Sequence, residues 1–410
     1  MNFKLPPVYA DVVIIGSGPA GLSAATQLKA LGVQRVAVME REEVAGGIPR
    51  HCPHYTYGLR EWGRLMDGPG YAKTLVKKAL QAGVDIFTGT SVTDIDDNGT
   101  VTVSTREGIL QTESKAVLVA TGTRESSRAQ RLLSGTRPTG VYNTGALQQF
   151  IYLANRKPCK RAVILGSELV SFSALLTLRH AGIEVAAMVE TSPSSLCPYP
   201  AHWMLKLMGI PFYTGAHDLY INGHPTVTSV DFAHEQGGQN IACDGVIVSG
   251  QFLPDAALLQ KAGVTLCTGS GGPSIDQYWR TSNPRIFSAG NVIHPVDTAG
   301  VAFREGRQAA FAIKDYLDMQ LPSAATATAV TWNEHVKYFY PQRLTGELAP
   351  ASSLMGKLRV ADWSNTRLQL LQGDTPVWQR SQQMVPERRL SVPVNRLVPG
   401  EQPFTVKVEP

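Results

Sequence analysis

Glycines and one acid near the N-terminus have the types and spacing of a dinucleotide-binding turn. Gly16, Gly18 and Gly21 directly follow a short β-branched run. The first glycine permits a tight bend, the second lets backbone approach a pyrophosphate, and the third lets a helix pack closely on the strand. Glu40 follows about 20 residues later, where a carboxylate can accept hydrogen bonds from a ribose diol. The pattern predicts a bound dinucleotide but does not by itself choose between FAD and NAD.

The elements that must position these residues are a strand, a helix and a second strand. Residues 12–15 are apolar, β-branched and bounded by glycine, which predicts a buried strand. Residues 20–30 carry a helical apolar pattern, and the helix would direct its N-terminus at the phosphates. Residues 36–40 predict the second strand, with Glu40 at its end.

The same pattern returns later in the chain without a gap. Gly16 corresponds to Gly166 and Glu40 to Glu190, an offset of 150 residues (166 − 16). An internal repeat of strand, helix and strand predicts a second dinucleotide-binding unit. Its expected occupant is NAD(P)H, although a carboxylate at Glu190 would disfavour the 2′-phosphate of NADP, and NAD(H) or another nucleotide is the cofactor expected there.

The second copy departs from the first at the residues that would meet a pyrophosphate. Glu168 stands at the middle glycine position and Ser171 at the third. A carboxylate there repels phosphates and fills space, so Glu168 points away, the pocket is vacant, or another ligand binds. The candidate residues of this second nucleotide site are Gly166, Ser167, Glu168 and Glu190.

Residues 46–72 form an irregular, aromatic and polar stretch that contains candidates for proton or electron chemistry. Cys52 is a candidate redox residue, although it has no second cysteine near it. His51 and His54 flank it as candidate proton donors. The alternatives are a buried small residue at Cys52 and backbone-bonded loop histidines. We expect no metal site, because a fourth ligand is lacking nearby.

Composition limits the class of protein. The chain has 410 residues, enough for two or three domains, with 43% hydrophobic and 17% charged residues, as in an ordinary globular protein. Its net charge of +5 is not concentrated in a basic block, so no nucleic-acid partner is expected. We also expect no transmembrane segment and no signal peptide, and therefore a cytoplasmic location, with contact to the inner membrane only through partners.

Two further motifs extend the pattern. The run Ala120-Thr121-Gly122 ends a predicted buried strand after a β-meander, and residues 281–291 read Thr-Ser-Asn-Pro-Arg-Ile-Phe-Ser-Ala-Gly-Asn. With the opening motif they resemble the pyridine nucleotide-disulfide oxidoreductase superfamily, whose first dinucleotide is FAD. Residues 46–72 and the Glu168-Leu-Val-Ser run make the resemblance more specific. They resemble the flavoprotein companions of glycerol-3-phosphate dehydrogenase-like subunits and, more distantly, the α subunits of opine oxidase, hydrogen cyanide synthase and proline dehydrogenase.

The resemblance implies an α/β fold with two Rossmann-like dinucleotide-binding domains, arranged as in glutathione reductase, and a small C-terminal β-rich domain. We expect an FAD domain over residues 1–125 and 276–322, an inserted NAD(P)-type domain over 126–275, and a β-rich cap or docking domain over 330–410.

The resemblance also implies which residues contact FAD. In this fold Asn291 would accept a ribityl hydroxyl, and a helix that starts near Thr298 would direct its positive end at the flavin N1–C2=O edge. The expected cofactor-binding residues are Gly16, Gly18, Pro19, Ala20, Gly21, Glu40, Arg41, Gly47, Val92, Ala120, Thr121, Gly122, Gly290, Asn291, Thr298 and Ala299.

These expectations favour a FAD-dependent oxidoreductase, the electron-transferring subunit of a heteromeric dehydrogenase or oxidase. Its partner would be a second flavoprotein subunit that oxidises an amine, imino acid or glycerol-3-phosphate-like substrate, within an oligomer. One alternative is a stand-alone NADH-dependent flavin reductase that uses Cys52 as a single redox residue. The other is a structural subunit that binds a nucleotide without catalysis.

Overall fold

The structure is a computed structural model that describes residues 5–197, 201–235, 237–346, 354–386, 388–398 and 402–409. The chain divides into two compact units. The first unit comprises Met1–Thr123 and Leu253–Pro410, and the second unit comprises Arg124–Phe252. The second unit thus ends before the expected boundary at residue 275, because Ala256, Leu259 and Val264 lie in a core of the first unit.

Strands and helices alternate in the order that the repeat predicts. In chain order the strands are β1 Tyr9–Ile15, β2 Val36–Met39, β3 Asp85–Phe87, β4 Ser91–Ile95, β5 Val101–Thr105, β6 Gly108–Val119, β7 Thr123–Glu125, β8 Ser134–Gly135, β9 Val141–Asn143, β10 Arg161–Leu165, β11 Glu184–Val189, β12 Phe212–Tyr213, β13 His217–Gly223, β14 Val227–His234, β15 Gly237–Ala242, β16 Gly245–Val248, β17 Phe252–Pro254, β18 Ile286–Ser288, β19 Thr328–Trp332, β20 Val336–Tyr340, β21 Arg343–Leu344, β22 Met355–Val360, β23 Ser364–Gln372, β24 Thr375–Met384, β25 Leu390–Pro393 and β26 Phe404–Val408. The α-helices are α1 Pro19–Ala30, α2 Leu59–Trp62, α3 Gly68–Gln81, α4 Thr144–Gln148, α5 Leu169–His180, α6 Ala201–Leu207, α7 Ala257–Lys261 and α8 Ala299–Leu317.

The main sheet of the first unit has the order β3-β2-β1-β6-β5-β4, and β18 pairs with β6. Strand β1 runs parallel to β2 and β6, whereas β4, β5 and β6 form the predicted antiparallel meander. The side chains of β1 are buried from Val12 onward because both faces of this central strand are covered.

Helices α1 and α8 pack closely in the first unit. A Cβ at Gly306 would lie 2.0 Å from the carbonyl oxygen of Ala20, and the Ser23 hydroxyl donates to the Phe303 carbonyl at 2.8 Å. This contact places the N-terminal turn of α8 beside the glycine-rich turn that precedes α1. The predicted helix near Thr298 therefore exists and lies where the fold requires it.

The second unit repeats the first on a smaller scale. Its parallel sheet has the order β12-β11-β10-β16-β9, and helix α5 follows β10 as α1 follows β1. A second sheet in this unit joins β15, β14, β13 and β8.

The region after α8 is rich in strands, as the sequence predicts. It contains one sheet of order β21-β19-β26-β23-β24 and another of order β20-β22-β25. Phe339, Leu358, Leu370 and Phe404 lie in their common core. Among the described residues, no helix is both long and apolar enough to span a membrane.

Candidate functional site

The three glycines of the first turn differ in what surrounds them. Gly16 has a φ of +102°, and a Cβ there would lie 2.5 Å from the carbonyl oxygen of Ala120. A Cβ at Gly21 would lie 1.9 Å from the carbonyl oxygen of Gly16. At Gly18, in contrast, a Cβ would meet nothing within 4 Å. Packing thus accounts for Gly16 and Gly21, while Gly18 faces open space at the helix N-terminus, as a turn that receives a pyrophosphate requires.

Glu40 is held in place by the backbone and side chain of Ser17. Its Oε2 accepts from the Ser17 amide at 3.0 Å and from the Ser17 hydroxyl at 2.5 Å, while Oε1 accepts from the Glu42 amide at 2.9 Å. The Ser17 hydroxyl in turn accepts from the Gly46 amide at 3.1 Å. Ser17 therefore joins the turn, the acid and the start of the aromatic stretch, so that the carboxylate is preorganised at the sheet edge.

Other predicted cofactor-binding residues surround the same edge. The Ala120 amide donates to the carbonyl of Ile15 at 2.8 Å, and the Thr121 hydroxyl donates to the carbonyl of Asp255 at 2.7 Å. Arg41 is exposed and lies 3.5 Å from the Asp255 carboxylate. The remaining predicted residues lie in or beside these elements. Gly47 lies beside Gly18, and Gly290 lies beside Ala20, which follows Pro19 in the first turn of α1. Val92 lies in β4, and Gly122 follows β6.

Asn291 makes contacts that the sequence did not predict. Its amide nitrogen donates to the carbonyl of Asp297 at 3.1 Å, and its amide oxygen accepts from the Asp297 amide at 2.9 Å. An aspartate at this position could not donate, so the pair explains why asparagine is present. It fixes the loop before Thr298, the N-cap of α8, which has no side-chain cap. Ala299 begins the helix, whose positive end is thus available to a cofactor.

The predicted catalytic residues follow the first turn. His51 is buried, whereas Cys52 and His54 are half-buried. Cys52 lies beside Tyr57: burial raises the pKa of Tyr57, and the neighbouring Cys52 thiol raises it further. Among the described residues there is no group of histidine, cysteine and acidic side chains that could hold a metal ion.

An aromatic cluster connects this stretch to α8. The ring centroids of Tyr57 and Tyr71 lie 5.3 Å apart, those of Trp62 and Tyr71 5.2 Å, and those of Trp62 and Phe303 5.9 Å. Glu61 accepts from the Tyr71 hydroxyl at 2.9 Å, and a Cβ at Gly300 would lie 2.8 Å from its Oε1. A carboxylate therefore reaches the first turn of α8, where the helix dipole favours negative charge.

The second unit repeats the hydrogen bonds of the first turn. The Ser167 hydroxyl donates to Glu190 Oε2 at 2.6 Å and accepts from the Leu196 amide at 3.0 Å. The Ser192 amide donates to Glu190 Oε1 at 2.9 Å. These bonds match those of Ser17 and Glu40, which shows that the repeat includes the acid and its support.

Glu168 does not point away from this turn's edge. Its Oε1 accepts from the Gln251 amide at 2.7 Å, and a Cβ at Gly250 would lie 2.3 Å from it. The Arg131 guanidinium lies at the same edge, where its Nη1 donates to the carbonyl of Ser249 at 2.9 Å. Burial lowers the pKa of Arg131, while Glu168, Glu190 and Glu125 counteract this.

Protein groups thus take the place that a dinucleotide pyrophosphate would need in the second unit. The carboxylates of Glu168, Glu190 and Glu125 all act electrostatically on the one guanidinium of Arg131. Ser171 is fully buried at its glycine position, and its hydroxyl lies 3.3 Å from the point where a Cβ at Gly166 would stand. The residues of the first turn fit a dinucleotide, and those at the second edge do not.

Sequence reasoning missed several residues that the structure brings to these sites. Arg131 and Glu125 come from the segment before the second repeat, and Glu61 comes from α2. No motif marks them, because they reach the sites through long-range packing. Glu125 has a raised pKa from burial, countered by bonds from the Gly145 and Gly250 amides.

Comparison with known proteins agrees with this architecture. Residues 10–306 match the family described as pyridine nucleotide-disulphide oxidoreductase, and the chain belongs to that family. It is therefore a flavin-dependent oxidoreductase, and its family uses FAD and NAD(P)H. The predicted family and fold class are confirmed.

Individual relatives differ in their roles. The chain is 26% identical over 370 residues to an opine oxidase subunit of Agrobacterium tumefaciens, covering 80% of this chain and 70% of that protein. It is 26% identical over 347 residues to the glutamate synthase [NADPH] small chain of Escherichia coli, covering 75% and 69%. The thioredoxin reductase structure of T. acidophilum aligns with a TM-score of 0.63 at 25% identity, covering 76% of this chain and 100% of that one.

The repeated serines allow a matched test of the two turns. We expect Ser17→Ala to lower the free energy of unfolding by about 1.5–3 kcal/mol, because it removes a hydrogen bond to a buried carboxylate. Ser167→Ala should destabilise the protein similarly, but only Ser17→Ala should weaken FAD retention. Chemical unfolding and the flavin content of the purified variants measure both effects. Equal loss of flavin from the two variants would contradict the assignment of FAD to the first turn.

Proposed function

We propose that this chain is the FAD-carrying, electron-transferring subunit of a heteromeric dehydrogenase or oxidase. Its partner is a second flavoprotein subunit that oxidises an amine, imino acid or glycerol-3-phosphate-like substrate. FAD supplies the ability to accept electrons from that substrate's oxidation and pass them on. This chain's residues bind the cofactor through the first turn, orient it beside α8 and support its reduced form with the helix dipole.

The observation that carries the proposal is the arrangement of Arg131 and Glu168 at the second turn. The Glu168 carboxylate accepts from the Gln251 amide, and the Arg131 guanidinium donates to the Ser249 carbonyl. Both interactions support a second turn that does not receive a pyrophosphate. Electrons that do not enter from a nicotinamide in this chain must enter from elsewhere. The similarity to an opine oxidase subunit and to a glutamate synthase small chain supports a role within a larger enzyme.

The reductase alternative needs both a nicotinamide site and a redox residue. Cys52 is half-buried, and the other cysteines, at positions 159, 197, 243 and 267, are buried and more than 100 residues further along the sequence. Burial raises the pKa of the Cys159 thiol to about 12, which opposes thiolate chemistry there. A cytoplasmic location and an oligomeric assembly stay predictions.

An anaerobic titration tests the proposed function directly. We expect the flavin absorbance of the purified chain to remain when NADH or NADPH is added in excess, because neither can seat its pyrophosphate beside Glu168. Dithionite should bleach the same sample, which controls for a reducible flavin. Rapid bleaching by NADH would overturn the proposal and favour the stand-alone reductase. Absence of flavin from the purified chain would favour a structural subunit.

A further inference from the structure

His294 lies in the loop between the motif at residues 281–291 and helix α8, and it is fully buried. Its Nε2 lies 3.0 Å from both carboxylate oxygens of Glu305, and its Nδ1 lies 3.2 Å from Asp297 Oδ2. The ring of Tyr340 stacks on the imidazole at a centroid distance of 4.4 Å and an interplanar angle of 9°. A buried histidine with an acid at each nitrogen is a built cluster that the proposed chemistry does not yet use.

The two neighbouring carboxylates favour the charged form of this histidine. A neutral imidazole carries one N–H, so it can donate to only one carboxylate, whereas an imidazolium donates from both nitrogens. Burial by itself lowers the pKa of His294, but Glu305 and Asp297 outweigh it and raise the pKa to about 9. The imidazolium and the Arg389 guanidinium balance the two carboxylates, and Arg389 Nη1 lies 2.8 Å from Asp297 Oδ2.

The C-terminal β region holds the same loop from the other side. Tyr338 in β20 donates to the carbonyl of Pro295 at 3.0 Å, and Arg359 in β22 donates to the carbonyl of Val296. Tyr340 in β20 lies 3.4 Å from Glu305 Oε1 through its hydroxyl. The loop before α8 is therefore fixed both by the histidine cluster and by side chains of the β region.

The loop also connects directly to the flavin motif. The Asp297 backbone forms the reciprocal pair with the Asn291 amide, and Thr298 follows as the N-cap of α8. We propose that His294 is a positioning residue: as an imidazolium between Asp297 and Glu305, it fixes the N-terminal turn of α8 against the C-terminal β region and so sets the midpoint potential of the flavin. This inference rests on the proposed place of FAD beside α8.

A positive charge in this cluster supports the positive end of the helix. Both stabilise the additional negative charge of a reduced flavin, so they raise its midpoint potential. Loss of the imidazolium charge removes one of the cations that face Asp297 and Glu305, and the potential then falls. Among the described residues, Arg389, Arg359 and Lys357 also carry positive charge near these carboxylates, and burial lowers the pKa of Lys357.

The test compares His294→Gln with wild-type holoenzyme and with His217→Gln, which changes an exposed histidine of the second unit. We expect a more negative midpoint potential in His294→Gln and no shift in His217→Gln. In wild type, the potential plotted against pH should show an additional downward break near pH 9, where the imidazolium loses its proton. His294→Gln should lack this break.

Arg389→Gln provides a milder variant, because the Arg389 side chain is 23% exposed. We expect a smaller fall in potential and a break displaced to higher pH, since removal of a nearby cation makes the imidazolium harder to deprotonate. A merely structural role would not displace the break. Unchanged potentials and breaks in both variants at full flavin content would overturn the inference.

The cofactor-free protein gives a readout that does not depend on flavin. A raised folded-state pKa contributes stability that is complete below the unfolded value of about 6.5 and is lost as pH rises through about 9. The free energy of unfolding should therefore decline over this range in wild type and not in His294→Gln. Failure of flavin to bind would contradict the proposed function and this inference, whereas an absent decline alone would contradict only the charged cluster.

Discussion

Gly18→Glu is expected to abolish FAD binding and to leave the cofactor-free fold intact. The substitution gives the first turn the residue that the second turn carries at Glu168. Gly18 has an extended backbone with a φ of −74°, and its Cβ would meet nothing within 4 Å, so folding tolerates a side chain there. A carboxylate about 4 Å from a phosphate charge costs about 4 kcal/mol at an effective dielectric constant of about 20, or roughly 1,000-fold in affinity.

Smaller variants separate the steric effect from the charge. Gly18→Ala should weaken FAD binding by at least about tenfold, because a methyl group enters the space that a phosphate needs. Gly238→Glu is the matched control, since Gly238 is exposed in β15 of the second unit and also has nothing within 4 Å of its Cβ. Fluorescence titration of the cofactor-free proteins with FAD measures affinity, and thermal unfolding without FAD checks the fold. Retention of FAD by Gly18→Glu would show that the phosphates lie elsewhere.

The first unit could be predicted from sequence because its signals are local. A β-branched run, glycines at fixed spacing and an acid about 20 residues later define strand, turn, helix and strand. The repeat offset even placed Ser167 and Glu190 in register, and the structure gives them the same hydrogen bond as Ser17 and Glu40. Local patterns were sufficient because each bond joins neighbouring elements of one repeat.

The contacts that decide chemistry at the second turn and at α8 could not be predicted in the same way. Arg131 reaches the carbonyl of Ser249, and Tyr340 stacks on His294, across long stretches of sequence. No spacing rule relates such pairs, since the complete packing of a unit brings them together. Asn291 shows a second limit: the motif predicted its position, but its partner is the Asp297 backbone. The ribityl contact at Asn291 stays a proposal.

The two turns differ in which charges the protein already supplies. At the first turn, Gly18 leaves open space. One carboxylate oxygen of Glu40 accepts from the Ser17 hydroxyl, and the other accepts from the Glu42 amide. At the second, the Glu168 carboxylate accepts from the Gln251 amide, and it acts electrostatically on the Arg131 guanidinium. A pyrophosphate would have to displace this hydrogen-bonded carboxylate. The second turn retains its structural bonds while its ligand space is filled.

Removal of that carboxylate should therefore create affinity for NADH. Glu168→Gly restores the glycine pattern at a residue whose backbone is extended, with a φ of −68° and a ψ of 169°, so the main chain need not change. It also frees the Arg131 guanidinium from one acid, and a guanidinium can bind phosphate oxygens in a bidentate manner. We expect calorimetry to show NADH binding at least about 100-fold tighter than in wild type, which corresponds to ~2.7 kcal/mol.

Two further variants show which property of Glu168 matters. Glu168→Gln keeps the size of the side chain and an oxygen that can accept from the Gln251 amide, but it removes the charge. If the NADH affinity of Glu168→Gln lies between those of wild type and Glu168→Gly, then both the charge and the volume of the Glu168 side chain exclude the dinucleotide. Glu184→Gln changes a largely exposed acid of the same unit and should leave NADH affinity as in wild type. If Glu168→Gly binds NADH no better than Glu184→Gln does, the Glu168 carboxylate is not the group that excludes the dinucleotide, and the account of the second turn is wrong.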